Sequence, residues 1–334
     1  MHKILITGGA GFIGSHLAKK FIEKGDEVHV IDNLSTGKMD NIKELSNNEN
    51  FYFSIADLKD LNFKELDLWK YDEVYHLAAV VGVTRVLENP LDCIETNLEG
   101  TKKLLDAIRD IDVQAMRPKV FIASTSEVYG KNDAWSLDED SDRIVGSTHR
   151  SRWIYADTKA MDEFIATIYS KKFNIKILVG RFFSIVGPGQ SAEYGMVLPR
   201  FVKQSLKNEN ITVYGDGTQI RSFLHVDDCV NIVVDLMRNI LLNNSIINIG
   251  NPEPVMIKDL AKWVKHYAKS NSSIEYVPYN RAFQTEDFED MYRRVPNISK
   301  LEGVLGVDKK VFITKSLDEI ILETIEYVKN ENII

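Results

Sequence analysis

A tyrosine and a lysine stand four residues apart in Tyr155-Ala156-Asp157-Thr158-Lys159, on one face of a predicted helix. A phenol ionises near pH ~10 and is a poor base at neutral pH. A neighbouring ammonium favours the phenolate and lowers that value. Tyr155 then takes the proton of a hydroxyl while hydride leaves the same carbon. Upstream, Ser124-Thr125-Ser126-Glu127-Val128-Tyr129-Gly130 follows a predicted strand. Its hydroxyls suit the oxygen of a carbon that changes oxidation state. A Ser/Thr turn capping the strand end is the plainer reading. Glu127 admits two readings, a general acid or base beside the reacting group or a solvated loop carboxylate.

A hydride needs an acceptor, and residues 3–32 carry the pattern that binds one. Ile4, Leu5 and Ile6 read as a buried strand. Gly8, Gly11 and Gly14 follow at G-x-x-G-x-x-G spacing, and a helical apolar pattern then runs to Gly25. Gly8 permits a tight turn, Gly11 lets backbone approach a pyrophosphate, and Gly14 lets helix pack on strand. The helix N-terminus offers N–H groups to phosphates. Asp32 ends the second strand, 18 residues past Gly14, where a carboxylate accepts from ribose hydroxyls. It would repel a 2′-phosphate, so the expected cofactor is NAD rather than NADP. Its positive nicotinamide ring would also favour the Tyr155 phenolate.

The elements that position these groups alternate. Strands are predicted at Phe51–Ile55, Glu73–Leu77, Val120–Ser124 and Ile175–Gly180, with helices over Asn97–Ile108 and Trp153–Phe173. The expected fold class is α/β, a doubly wound parallel sheet with a smaller C-terminal cap that binds substrate. Asp57, Ala78, Thr125 and Phe182 fall at strand ends and should line one crevice. After Arg181 the pattern changes. A loop at Gly187–Gln190, a helix over Val197–Leu206, a turn at Tyr214–Gly217 and a helix over Asp227–Leu241 follow. Ile246–Ile249 reads as a strand that rejoins the sheet, and a last helix spans Ser316–Lys329. The expected division is a dinucleotide-binding domain over 1–181, to which 218–250 returns, and a cap from 182–217 and 251–334.

The chain has 334 residues, 44% of them hydrophobic and 27% charged, with a net charge of −8. An acidic chain of this kind argues against a nucleic-acid surface. Its arginines must therefore be placed locally if it holds phosphorylated ligands. Cys93 and Cys229 form no metal spacing and suit buried thiols in a reducing compartment. No apolar run reaches transmembrane length, and no signal peptide is expected before the first strand. The cytoplasm is the expected location. His225 has no companion at metal spacing, so no metal is expected. Trp153 reads as core, and His149, Arg150 and Arg152 admit two readings, contacts to substrate or, the plainer one, a solvated basic turn.

Taken together, these motifs resemble the extended short-chain dehydrogenases/reductases, the NAD-dependent nucleotide-sugar epimerases, dehydratases and decarboxylases. The resemblance runs through TGGAGFIGSHL at 7–17, ADL at 56–58, HLAA at 76–79, ETN at 95–97 and STSEVYG at 124–130. It continues through YADTK at 155–159, RFFSIVGPGQ at 181–190, TVYGDGTQIRSFLHVDD at 212–228 and RRVPNISKL at 293–301. It implies a catalytic group of Thr125, Tyr155 and Lys159, with Ser126 and Glu127 beside it. It implies that Asp57 and Leu58 flank the adenine. The implied cofactor site also takes in Phe12, Ile13, Asn33, Leu77, Ala78, Ala79 and Phe182. Arg221 and Arg294 are implied at the diphosphate or the sugar, where guanidinium pairs suit phosphate, with Val81, Thr125 and Ser184 in the substrate site. A homodimer through the helices Asn97–Ile108 and Trp153–Phe173 is implied as well.

Three departures order the outcomes. Ser184 stands where family members carry asparagine. Ser126 replaces the second acid of the 4,6-dehydratases. The STSEVYG segment and Arg294 match UDP-glucuronate decarboxylases, whereas the loop Ala79–Thr84 resembles sugar-nucleotide 4-epimerases. All outcomes begin by oxidising C4 of a nucleotide-diphosphate sugar. The leading one is 4-epimerisation. Uronate decarboxylation, dehydration and release of a 4-keto product follow in that order. A non-catalytic NAD-binding sensor is the alternative from another class, and the intact Thr125, Tyr155 and Lys159 oppose it.

Overall fold

Ile4 and Ile6 bury on one face of a sheet and Leu5 on the other, which is why β1 (Lys3–Thr7) is apolar throughout. The computed structural model describes residues 1–193, 196–239, 242–283 and 288–330. The remaining sheet strands are β2 (Glu27–Asp32), β3 (Phe51–Ile55), β4 (Glu73–His76), β5 (Lys119–Thr125), β6 (Ile177–Phe182) and Ser245–Ile249. Across the seven-stranded sheet the order is Ser245–Ile249, β6, β5, β4, β1, β2, β3. Every pairing is parallel. The helices Phe12–Glu23 and Val226–Arg238 cover one face through Phe21, Val230 and Val233. Gly100–Arg109 and Ile154–Phe173 cover the other through Leu104, Ile108 and Ala166.

The chain leaves β1 toward β2 and β3, then crosses back to β4. Strand order reverses between β1 and β4, and a crevice opens there beyond the strand ends. His76 ties the two strands together. Its Nδ1 lies 2.8 Å from Thr7 Oγ1 and its Nε2 3.2 Å from Thr101 Oγ1. Burial drives its pKa down to about 3, so the ring is neutral. Asn97 secures the loop beyond β4. It accepts from Val80 N–H at 2.9 Å and donates to Thr158 Oγ1 at 3.2 Å. This one amide holds the loop to the helix that carries Tyr155.

β6 begins two residues later than the sequence pattern predicts. Asn174 takes a left-handed turn at φ +53°, and Ile175 is spent on the core beneath the helix end. The helix predicted to reach Leu241 ends at Arg238, and Leu241 lies outside the described residues.

The cap has its own core of Leu198, Phe201, Val213, Leu260, Val264 and Ile321. It contains the helices Val197–Leu206, Ile257–Tyr267 and Leu317–Asn330 and the strand pair Ile211–Tyr214 with Ile274–Val277. A small sheet joins Val255–Met256, Ile220–Arg221 and Arg293–Arg294, and its register sets Arg294 beside Arg221.

A buried polar knot holds β5 and β6 under the crevice. Arg181 donates to both oxygens of Glu163 at 2.9 and 2.7 Å and to Tyr129 Oη at 2.8 Å. Ser124 donates to the same carboxylate. Removing the cation would strand a buried charge, which costs about 3–5 kcal/mol. Arg181→Met should therefore lower unfolding stability by that amount in a urea titration. A loss below about 1 kcal/mol would show that the knot is not a stabilising element.

Candidate active site

The turn after β1 is built for close approach. Gly8 has φ +73°, and a Cβ there would lie 2.7 Å from Ala78 N. A Cβ at Gly14 would lie 2.3 Å from Gly8 O, so strand and helix meet without intervening side chains. The helix starts at Phe12 with no side chain capping its first turn. At the end of β2, Asp32 accepts from Ala10 N–H at 3.0 Å and from Leu34 N–H at 2.7 Å. Burial pushes its carboxyl up and these N–H groups oppose that shift. Asn33 donates to Asp57 at 2.8 Å, and Lys59 N–H to the other Asp57 oxygen at 2.9 Å. A side-chain-free cradle, an exposed helix start and an acid at the next strand end fit NAD, with the acid disfavouring a 2′-phosphate.

Thr125 ends β5 and accepts from Glu127 N–H at 3.2 Å, capping the turn Ser126–Tyr129. Tyr155 and Lys159 lie one turn apart on Ile154–Phe173. The Tyr155 hydroxyl bonds to Thr125. Its ionisation differs from the lowering expected of the Tyr–Lys spacing. Desolvation pushes the phenol up, the Glu127 carboxylate and Cys93 add to this, and the Thr125 bond only partly offsets them. Lys159 donates to buried Asp162 at 2.8 Å, so its charge is matched by an anion.

Glu127 is not a solvated loop carboxylate. It is 14% exposed and sits between two guanidinium groups. Arg152 Nη1 lies 2.6 Å from one oxygen and Arg294 Nη1 2.8 Å from the other. Burial alone would raise its pKa, but the two arginines outweigh burial and bring it down to about 2. Arg152 is 4% exposed, which overturns its reading as part of a solvated basic turn. Arg152 precedes Tyr155 by three residues, the interval that places both on one helical face. That spacing was a usable signal, but its partner Glu127, in the turn after β5, was not visible.

Arg221 is buried and donates to Asp290 at 2.7 Å, and Tyr279 donates to the other Asp290 oxygen at 2.6 Å. Asp290 and Tyr279 escaped the sequence reading because neither belongs to a recognisable motif. Ser184 holds φ +39°, a left-handed conformation that asparagine adopts more readily than serine. All the residues singled out for cofactor, catalysis or substrate line one cavity of about 700 Å³. Among the described residues no cluster of His, Cys, Asp or Glu is arranged to hold a metal ion. No helix among them is long and apolar enough to cross a membrane.

A carboxylate whose folded pKa is depressed adds stability above its unfolded value, near ~4.3, and loses it as pH falls toward the folded value. Wild type should be more stable than Glu127→Gln at about pH 6, with the gap closing between about pH 4.5 and 2. Paired denaturant titrations across that range check this. A gap independent of pH would mean that Glu127 is not held ionised by the arginines.

Residues 4–250 match the NAD dependent epimerase/dehydratase family. A UDP-N-acetyl-alpha-D-glucosaminuronate decarboxylase from Bacillus cytotoxicus is 36% identical, over 96% of each chain. UDP-glucuronic acid decarboxylase 1 of Danio rerio is 34% identical over 98% of this chain and 73% of its own length. Among solved structures, a UDP-glucuronic acid 4-epimerase from Bacillus cereus, in complex with UDP-glucuronic acid and NAD, superposes with a TM-score of 0.86. It is 30% identical, over 98% of this chain and 99% of its own. The chain belongs to the NAD-dependent epimerase/dehydratase family of enzymes and uses NAD.

Proposed function

We propose that this enzyme decarboxylates a UDP-uronate through a 4-keto intermediate. The observation that carries the reading is Glu127 held between Arg152 and Arg294. Two cations, Arg152 buried and Arg294 part-buried, around one internal carboxylate leave positive charge for a second, and a uronate brings one at C6. The named activities of the Bacillus cytotoxicus and Danio rerio relatives support the same reading.

When bound in the cradle of Gly8, Gly14 and Asp32, NAD would supply the acceptor and donor of the C4 hydride. Tyr155 takes the C4 hydroxyl proton and gives it back, and Thr125 holds that oxygen. Lys159 holds the cofactor ribose side of the site. The 4-ketone makes the sugar a β-keto acid. Its C5–C6 bond then breaks, carbon dioxide leaves, and the electron pair remains on C5 as the enolate. A solvent proton, delivered beside Ser126 and Glu127, completes C5. The nucleotide diphosphate falls to Arg221. Nothing is oxidised or reduced overall.

The sequence's leading outcome, 4-epimerisation, stays as the second reading. The loop Ala79–Thr84 and the Bacillus cereus 4-epimerase favour it. Epimerisation breaks no bond at C6 and needs no charge ordered there, so the ionised Glu127, which holds Arg152 and Arg294, separates the two. With UDP-glucuronate or UDP-N-acetylglucosaminuronate, wild type should yield the UDP-pentose, and Glu127→Gln should be slower by about 10²–10³-fold, as for loss of one preorganised charge. Reduced nicotinamide absorbance should accumulate in that variant. A loss under about tenfold with the carboxylate retained would favour epimerisation.

We also propose a cytoplasmic homodimer. Met161, Phe164 and Ile168 form an exposed stripe on Ile154–Phe173, and Leu91 and Ile94 lie exposed on Pro90–Ile94. Apolar side chains in such a stripe suit a partner surface. Sedimentation at micromolar concentration should give a dimer that Phe164→Glu dissociates, and a wild-type monomer would contradict the pairing.

A further inference from the structure

The proposed sugar end of the cavity is crowded with ionised groups. Among the described residues, Arg152, Arg294 and Arg221 pair there with two carboxylates, Glu127 and Asp290. Asp290 is committed to Arg221 and Tyr279. Glu127 is therefore shared between Arg152 and Arg294.

The two sharers are not equivalent. Arg152 is nearly inaccessible, and its guanidinium lies 5.2 Å from the ring centre of Trp153 and 5.9 Å from that of Phe288. Trp153 is itself pinned by a 2.8 Å bond to Glu289. Arg152 is thus walled in by aromatic rings and aimed at one Glu127 oxygen. Arg294 is 15% exposed and donates to the other oxygen through one nitrogen, and each of the two arginines keeps a buried Nε without a hydrogen-bond partner. Both arginines line the cavity. The two differ in exposure and surroundings rather than in spare donors: Arg152 is enclosed by rings, and Arg294 is the more open of the two.

We infer that Arg152 is a positioning residue that sets selectivity for acidic sugars: it holds Glu127 from one side so that Arg294, on the other, receives the C6 carboxylate. This rests on the uronate reading above. Without Arg152, Glu127 has Arg294 alone for its counter-ion. Arg294 is then claimed by the internal acid, and the substrate acid loses its partner. A neutral sugar has no such stake and should not register the change. Arginine suits the role because its planar fork stays charged and fixed in direction, whereas a lysine offers a point charge on a flexible stem.

The groups facing Glu127 are Arg152, Arg294, Tyr155 and, further off, Arg221. Of these, only Arg152 and Arg294 bond to it, so losing one should change its protonation measurably.

The test uses NAD-loaded protein carrying Tyr155→Phe, so that ligands bind without turnover. Calorimetry compares UDP-glucuronate with UDP-glucose on this background and on the same background with Arg152→Gln or Arg152→Lys. Arg152→Gln should weaken UDP-glucuronate by about 10–100-fold and change UDP-glucose less than about threefold. Arg152→Lys should recover part of the loss. Equal losses for both ligands, or no loss for either, would overturn the inference. Infrared difference titration of the free protein supplies a second readout, one that does not depend on the sugar. Protonation of Glu127, identified by its absence in Glu127→Gln, should move upward from about pH 2 toward the ordinary value near ~4.3 when Arg152 is Gln. An unmoved titration would overturn the positioning role. If the titration moves but the parent shows no preference for UDP-glucuronate, the uronate reading and the selectivity fail, while the hold of Arg152 on Glu127 stands.

Discussion

One carboxylate between two guanidiniums organises the reacting end of this enzyme. Glu127 leaves β5 on a single turn capped by Thr125, and so the acid and the proposed oxygen-binding hydroxyl are set by the same four residues. Its two partners arrive from different directions. Arg152 comes from the turn that starts the Tyr155 helix, and Arg294 from a short strand near the end of the described chain. The ion triad therefore ties sheet, catalytic helix and cap into one assembly. A buried pair is weak evidence for stability in itself, because desolvation offsets much of the attraction. Its value here is geometric. It holds a charged group in a dry site, where a fixed charge acts strongly on a reacting sugar.

The cofactor end rests on a different constraint, the absence of side chains. Gly8 and Gly14 bring β1, the following helix and the loop after β4 closer than any Cβ would allow. His76 and Asn97 hold the floor of the same crevice through neutral hydrogen bonds. The two ends thus use different physics. One is shaped by backbone approach, the other by buried charge, and Tyr155 lies where they meet. Its phenol is pushed up by desolvation and by Glu127, so the chain alone keeps it protonated. The positive nicotinamide ring is the remaining source of the shift that a general base needs.

Much of this was legible in the sequence wherever a local pattern sufficed. The apolar run Ile4–Ile6, the glycine spacing, the acid at Asp32 and the Tyr155–Lys159 interval are all properties of short segments. So are the six sheet strands up to Phe182, with β6 displaced by two residues because Asn174 turns left-handed first. Arg152 was misread because its burial depends on Glu127 and Phe288, which no window around it contains. Asp290 and Tyr279 were missed for the same reason. Arg294 was found only through resemblance, since its register beside Arg221 is a tertiary fact. The Tyr155 phenol is pushed up because desolvation and the remote Glu127 carboxylate, neither visible in the Tyr–Lys interval, act on it. Spacing indicates which side chains can meet, and desolvation with third partners decides what their meeting does.

The central claim is that the 4-keto sugar loses its C6 carboxylate on this enzyme. The most direct measurement is a single turnover of UDP-glucuronate labelled with carbon-13 at C6, run in deuterium oxide and followed by NMR. The account predicts that the label leaves as carbon dioxide and bicarbonate, with one deuterium placed on C5 of the UDP-pentose. Retention of the label on a sugar inverted at C4, with no deuterium at C5, would contradict it.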